Sequence, residues 1–140
     1  MIFELKDDDS IYVEGVEKIR NGRAIQRRGW VREAEAFACI EDKELWRERS
    51  GYDTFKEFIA NCEPIKSDPD HVLDIVKAFR KLGKETCLKL SWMQAIYLSN
   101  QPTKVIMAIK NNKKKCQRIG QKSIDEFRKS VKKIKKELCL

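Results

Sequence analysis

One histidine, three prolines and six glycines are all that 140 residues contain of these types. A histidine pair for zinc chemistry therefore cannot be assembled, and neither a phosphate-cradling glycine loop nor a Gly-x-Ser-x-Gly nucleophile turn is present. His71, flanked by Asp70 and followed by Asp74, reads as a satisfied surface histidine. The chain lacks any apolar run of about 18 residues, which excludes a membrane-spanning helix. Met1–Ser10 mixes four acids and one lysine with Met, Ile, Phe and Leu. It has neither the basic start nor the apolar stretch of a secretory signal, so a cytoplasmic location is expected.

The five cysteines, at 39, 62, 87, 116 and 139, are odd in number, unevenly spaced and never form Cys-x-x-Cys. That pattern argues against a disulfide framework or a zinc knuckle. Cys39 and Cys62 read as small core residues, whereas Cys116 and Cys139 lie among lysines that favour the thiolate. Acidic clusters occur at Asp7, Asp8 and Asp9 and at Glu41, Asp42 and Glu44. Consecutive acids point in different directions from a helix, and the ligand spacing of a calcium loop is missing. No metal, cofactor, small-molecule ligand or enzymatic activity is expected.

What the chain does have is charge. Charged residues make up 37% and hydrophobic ones 41%, enough for a small core in a very soluble protein. Lys110–Leu140 holds twelve Lys or Arg against three acids, +9, while the whole chain carries +8 and Met1–Ile109 therefore sums to −1. A cationic end on a neutral body is the pattern of an interaction arm for a polyanion, because each phosphate neutralised by Lys or Arg releases condensed counterions.

The apolar spacing is helical throughout, and an all-α fold is expected. Ile11–Arg20 reads as a helix closed by Asn21 and Gly22. Arg23–Ser50 reads as a long helix, with a break near Gly29 allowed and Gly51 as its terminator. Thr54 and Glu57 form a capping-box signature. Asp68 followed by Pro69 starts a helix that runs to Gly83. Further helices are expected in Lys89–Asn100 and after Pro102. The predicted organisation is a helical core over 1–109, a basic linker or frayed helix over 110–121, and a basic amphipathic helix over 122–140. Ser123 and Glu126 give this last helix a second capping box. Its apolar positions Ile124, Phe127, Val131, Ile134 and Leu138 recur at steps of 3, 4, 3 and 4. This seam needs a covering surface: its own domain, a second copy in a homodimer, or a membrane surface.

Thr54–Asn61, the turn Cys62–Ser67 and Asp68–Leu82 give the order of a helix-turn-helix, whose second helix enters a major groove. A plain helical hairpin in a core fits the same pattern. Leu45-Trp46-Arg47, then Gly51-Tyr52-x-Thr54-Phe55-x-Glu57-Phe58, then a turn and a helix, resembles the helix-turn-helix regulators of bacterial plasmids, phages and integrative elements over roughly 40–79. The resemblance implies that the helix beginning near Ser67 reads DNA. Its first turn departs from that role: Asp68, Asp70 and Asp74, with Glu63 just before, would repel phosphates.

The residues expected to meet nucleic acid are therefore spread wider. Arg23, Arg27 and Arg28, with Arg20 and Arg32, surround Trp30, itself expected in the core. Lys77, Arg80 and Lys81 lie on the presumed recognition helix. The tail supplies Lys113, Lys114, Lys115, Arg118, Arg128, Lys129, Lys132, Lys133 and Lys136. The resulting expectation is a DNA-binding protein held mainly by phosphate contacts, acting as a regulator or accessory factor of a mobile element. RNA binding, a protein-interaction adaptor and a helix on anionic membrane are the alternatives.

Overall fold

The computed structural model describes residues 8–24, 29–63 and 65–139. Over these the chain is all α, with no strand. The helices are α1 (Asp8–Ala24), α2 (Gly29–Asp42), α3 (Leu45–Ser50), α4 (Phe55–Asn61), α5 (Pro69–Leu82), α6 (Lys84–Cys87), α7 (Trp92–Ser99), α8 (Thr103–Lys110), α9 (Lys113–Gly120) and α10 (Ile124–Glu137). Two compact units divide the chain between Leu73 and Asp74, so α5 begins in the first and ends in the second. The expected boundary near residue 109 falls inside the second unit.

In the first unit α1 packs along α2, α2 meets α3, and α3 meets α4. α2 stops at Asp42, and Glu44 adopts a left-handed φ of 52° before α3 begins. The expected unbroken helix through Ser50 is thus divided here. Leu45 and Trp46, the first two residues of α3, are both buried. Trp30 is also in the core, as its pattern suggested.

Aromatic rings fill the centre of this unit. Phe55 stacks on Phe58 at 5.9 Å between centroids. Trp46 and Phe37 approach Phe55 at 6.1 and 6.2 Å, and Tyr52 and Tyr12 meet Phe58 edge-on at 6.2 and 6.3 Å. The motif that carried the resemblance therefore supplies four of these six rings. Thr54 starts α4 by accepting from the Glu57 N–H at 3.0 Å. Asp68 caps α5 by accepting from the Asp70 N–H at 3.1 Å.

In the second unit α10 packs against α7, α8 and α9, and α8 packs on α9. Phe127, Val131 and Ile134 are buried there beside Leu98, Val105, Ile106, Ile109 and Ile119. Of the three surfaces open to the seam, its own unit covers it. The outer positions differ: Ile124 is half-buried and Leu138 is exposed. Residues 110–121, expected as a linker or frayed helix, instead contain α9, capped by Asn112, with Cys116, Ile119 and Gly120 buried. Three buried positions among eight residues were enough to fix a helix whose lysines hid its apolar stripe.

Gln94 ties this unit together. Fully buried, it accepts from the Ser91 N–H at 2.9 Å and donates to the Lys122 carbonyl at 2.9 Å, while Ser91 accepts from the Gln94 N–H. One carboxamide completes the capping box of α7 and holds the turn that leads into α10.

Candidate nucleic-acid interface

α9 and α10 both expose basic side chains, and their packing turns two separate basic stretches of sequence into one surface. Lys115 and Arg118 come from α9, Lys122 from the turn, and Lys133 from α10. Together with Ile119, Ser130, Ile134 and Glu137 they line a groove of about 180 Å³. Glu137 is the single carboxylate among four cationic lining residues. Lys122 is held in place by a 3.1 Å hydrogen bond from its Nζ to the Ser130 Oγ. Ile119 and Ile134 are buried, so the aliphatic stems of the cations lie over apolar surface while their charged heads remain in water.

Other expected contacts join the same helices. Lys114, Lys129, Lys132, Lys133 and Lys136 are exposed. Arg128 is exposed and lies over the ring of Tyr97, its guanidinium carbon 5.5 Å from the centroid. That contact restricts the long side chain without neutralising it. Tyr97 in turn meets the buried Phe127 edge-on at 6.4 Å. Lys113 is exposed but paired, 2.9 Å from the Glu85 carboxylate. The Lys113 hydrogen bond and charge, with help from Lys89, hold the Glu85 carboxyl below its ordinary range.

The remaining expected contacts are dispersed. Lys77 and Arg80 are exposed on α5. Lys81 donates to the Ser99 carbonyl at 2.8 Å, which gives it a structural task at the end of α7. Arg27 and Arg28 lie outside the described residues, as do the side chains of Arg20 and Arg23; Arg32 is exposed on α2. Seven residues, 62–68, connect α4 to α5, longer than the three or four of a tight helix-turn-helix. The acids at the start of α5 remain exposed at Asp68, Asp70 and Asp74, with Lys56 3.3 Å from Asp70.

No family model, curated protein or solved structure matches the chain.

Among the described residues no group of three His, Cys, Asp or Glu is placed to hold a metal ion, and no helix is long and apolar enough to cross a membrane. Cys87 is fully buried. Its thiol is pushed up to about 12 by desolvation and then by Cys116, against the opposing charge of Lys110. Lys122, Lys110 and Lys89 were not singled out in the sequence, yet each lines a concavity. Their significance comes from packing between helices distant in sequence. The only local signal was the lysine density itself.

Proposed function

We propose that the protein is a non-enzymatic nucleic-acid-binding protein, duplex DNA being favoured over RNA, that grips the phosphate backbone with the α9–α10 surface. The observation that carries this reading is the groove in which Lys115, Arg118, Lys122 and Lys133 outnumber the single acid Glu137. Like charges held this close repel one another, and a phosphate run relieves that repulsion while releasing counterions. The resemblance over residues 40–79 adds the expectation of a regulator or accessory factor of a mobile element. Any sequence preference then belongs to the Thr54–Leu82 hairpin, whose acidic first turn makes it the weaker contributor to affinity.

The test is a salt titration of binding to random duplex DNA. Removing α10 would be uninformative, because Phe127 and Val131 are part of the core. Side-chain neutralisation is the appropriate variant. Log affinity should fall with log salt at a slope of roughly −0.9 per phosphate contacted, and Lys115→Gln/Arg118→Gln/Lys133→Gln should remove about two to three units of slope with helicity unchanged. Binding to single strands and structured RNA, run in parallel, separates DNA from RNA. A protein partner is the second reading, favoured by the exposure of Leu88, Trp92, Met93 and Met107. It gains if no duplex or RNA binds at low salt.

A further inference from the structure

A larger concavity of about 340 Å³ opens elsewhere in the second unit, between the Gly83–Thr86 segment and the junction of α8 with α9. Lys84, Lys89, Lys110 and Lys113 line it with one carboxylate, Glu85, and its floor includes the buried Thr86 and Cys116. Its charged lining therefore sums to +3.

The single acid is already engaged. Glu85 lies 2.9 Å from Lys113 Nζ and 3.8 Å from Lys89 Nζ, and Lys89 also donates to the Glu85 backbone carbonyl at 3.4 Å. Lys110 has no such partner. It closes α8, is half-buried, and its side chain makes no hydrogen bond or ion pair among the described residues. Its Nζ reaches back over Gly83, 3.8 Å from where a Cβ there would stand, which places the ammonium at the Gly83 side of the cleft. Lys110 thus lines the cleft without a counter-charge from the protein, and an anion entering the cleft would supply one.

We propose that this cleft is a phosphoryl-binding site, taking a phosphate monoester or inorganic phosphate through Lys110, with the neighbouring lysines completing the cradle. A doubly charged anion with several acceptor oxygens fits a +3 lining better than a carboxylate, which has one charge and two oxygens. The volume reaches the lower end of small-ligand pockets, roughly 300–1,000 Å³, leaving space for the group that carries the phosphate. The site is separate from the α9–α10 groove and does not depend on the function proposed for it.

The test uses the full chain and side-chain NMR of its lysines. Inorganic phosphate, a nucleoside monophosphate, and short oligonucleotides carrying either a 5′-phosphate or a 5′-hydroxyl are titrated separately. The expected result is a saturable shift at Lys110 and Lys113 with at least one phosphorylated ligand. Preference for the 5′-phosphorylated over the 5′-hydroxyl strand identifies a nucleic-acid end as the source, and equal strands with binding of phosphate or nucleotide identify a free anion. Lys110→Gln should weaken binding by about tenfold or more, the effect of one charge-assisted hydrogen bond. Glu85→Gln should strengthen it by releasing Lys113. That gain of affinity cannot be produced by a variant that merely fails to fold. Lys133→Gln, in the other groove, should leave it unchanged. The proposal is overturned if no ligand shifts Lys110 below about 10 mM, or if Lys110→Gln and Lys133→Gln weaken binding equally, which would mean diffuse attraction.

Discussion

Cys87 and Cys116 are both fully buried, while Cys139 is exposed and Cys39 and Cys62 are half-buried. The sequence placed Cys39 and Cys62 in the core and left Cys116 among lysines that favour a thiolate. Tertiary packing decided otherwise, because α9 turns Cys116 inward beside Cys87. Burial, and then Cys116, raise the Cys87 thiol to about 12, against about 8.5 in an unfolded chain. Below about pH 8.5 the thiol is protonated in both states and stability does not depend on it. Between that pH and about 12 the unfolded chain loses a proton that the folded chain retains, so stability falls as pH rises. The expected outcome is a denaturation midpoint that declines above about pH 9, with a shallower decline in Cys87→Ala. Equal declines in the two proteins would contradict the buried-thiol account. At neutral pH, Cys139 should alkylate quickly and Cys87 only on unfolding.

At the scale of elements, helix starts were the most legible features. Thr54, Asp68 and Ser123 each cap the helix expected of them through a local hydrogen bond, and such bonds depend only on near neighbours in sequence. Helix ends and breaks set by distant contacts were not legible. Glu44 takes a left-handed turn just before α3, whose Trp46 meets Phe55 nine residues on. Gly120 looked like a mark of flexibility in a basic linker, yet it is buried against Lys89. A Cβ there would collide with the Lys89 carbonyl and stand 3.2 Å from the Leu90 Cδ2. Alanine would gain about 1 kcal/mol of helix propensity, but overpacking against backbone costs about 1–3 kcal/mol or more. Gly120→Ala should therefore be destabilising by about 1–2 kcal/mol, seen as a lower urea midpoint with an unchanged slope. A more stable Gly120→Ala protein would show that the α9 terminus is loose after all. At Gly51 the position is reversed: φ is 69° and nothing lies within 4 Å of a built Cβ, so backbone conformation alone favours glycine there.

Across the whole molecule the charge divides more sharply than tail against body. Asp74–Leu140 carries 18 Lys or Arg and five acids, +13, whereas Met1–Leu73 carries 12 and 17, −5. The sequence marked the cationic tail, but without the unit boundary it could not join Lys77, Arg80, Lys81, Lys84, Lys89 and Lys104 to it. This asymmetry separates two explanations of polyanion binding: attraction to the protein's net charge, and contact at a particular surface. Salt slope counts the counterions displaced where phosphates actually sit, and charges more than about 10 Å away are largely screened at 0.1 M salt. Two triple variants with equal net charge make the distinction. Lys43→Gln/Lys56→Gln/Lys66→Gln removes three exposed cations from the first unit, at a small stability cost even where Lys56 loses its exposed pairing with Asp70. Lys115→Gln/Arg118→Gln/Lys133→Gln removes three from the α9–α10 groove. On duplex DNA followed by fluorescence anisotropy, the first variant should keep the parent slope to within about one unit, and the second should lose about two to three. If both lose the same slope, the protein binds by its overall field, and the groove has no special part in recognition.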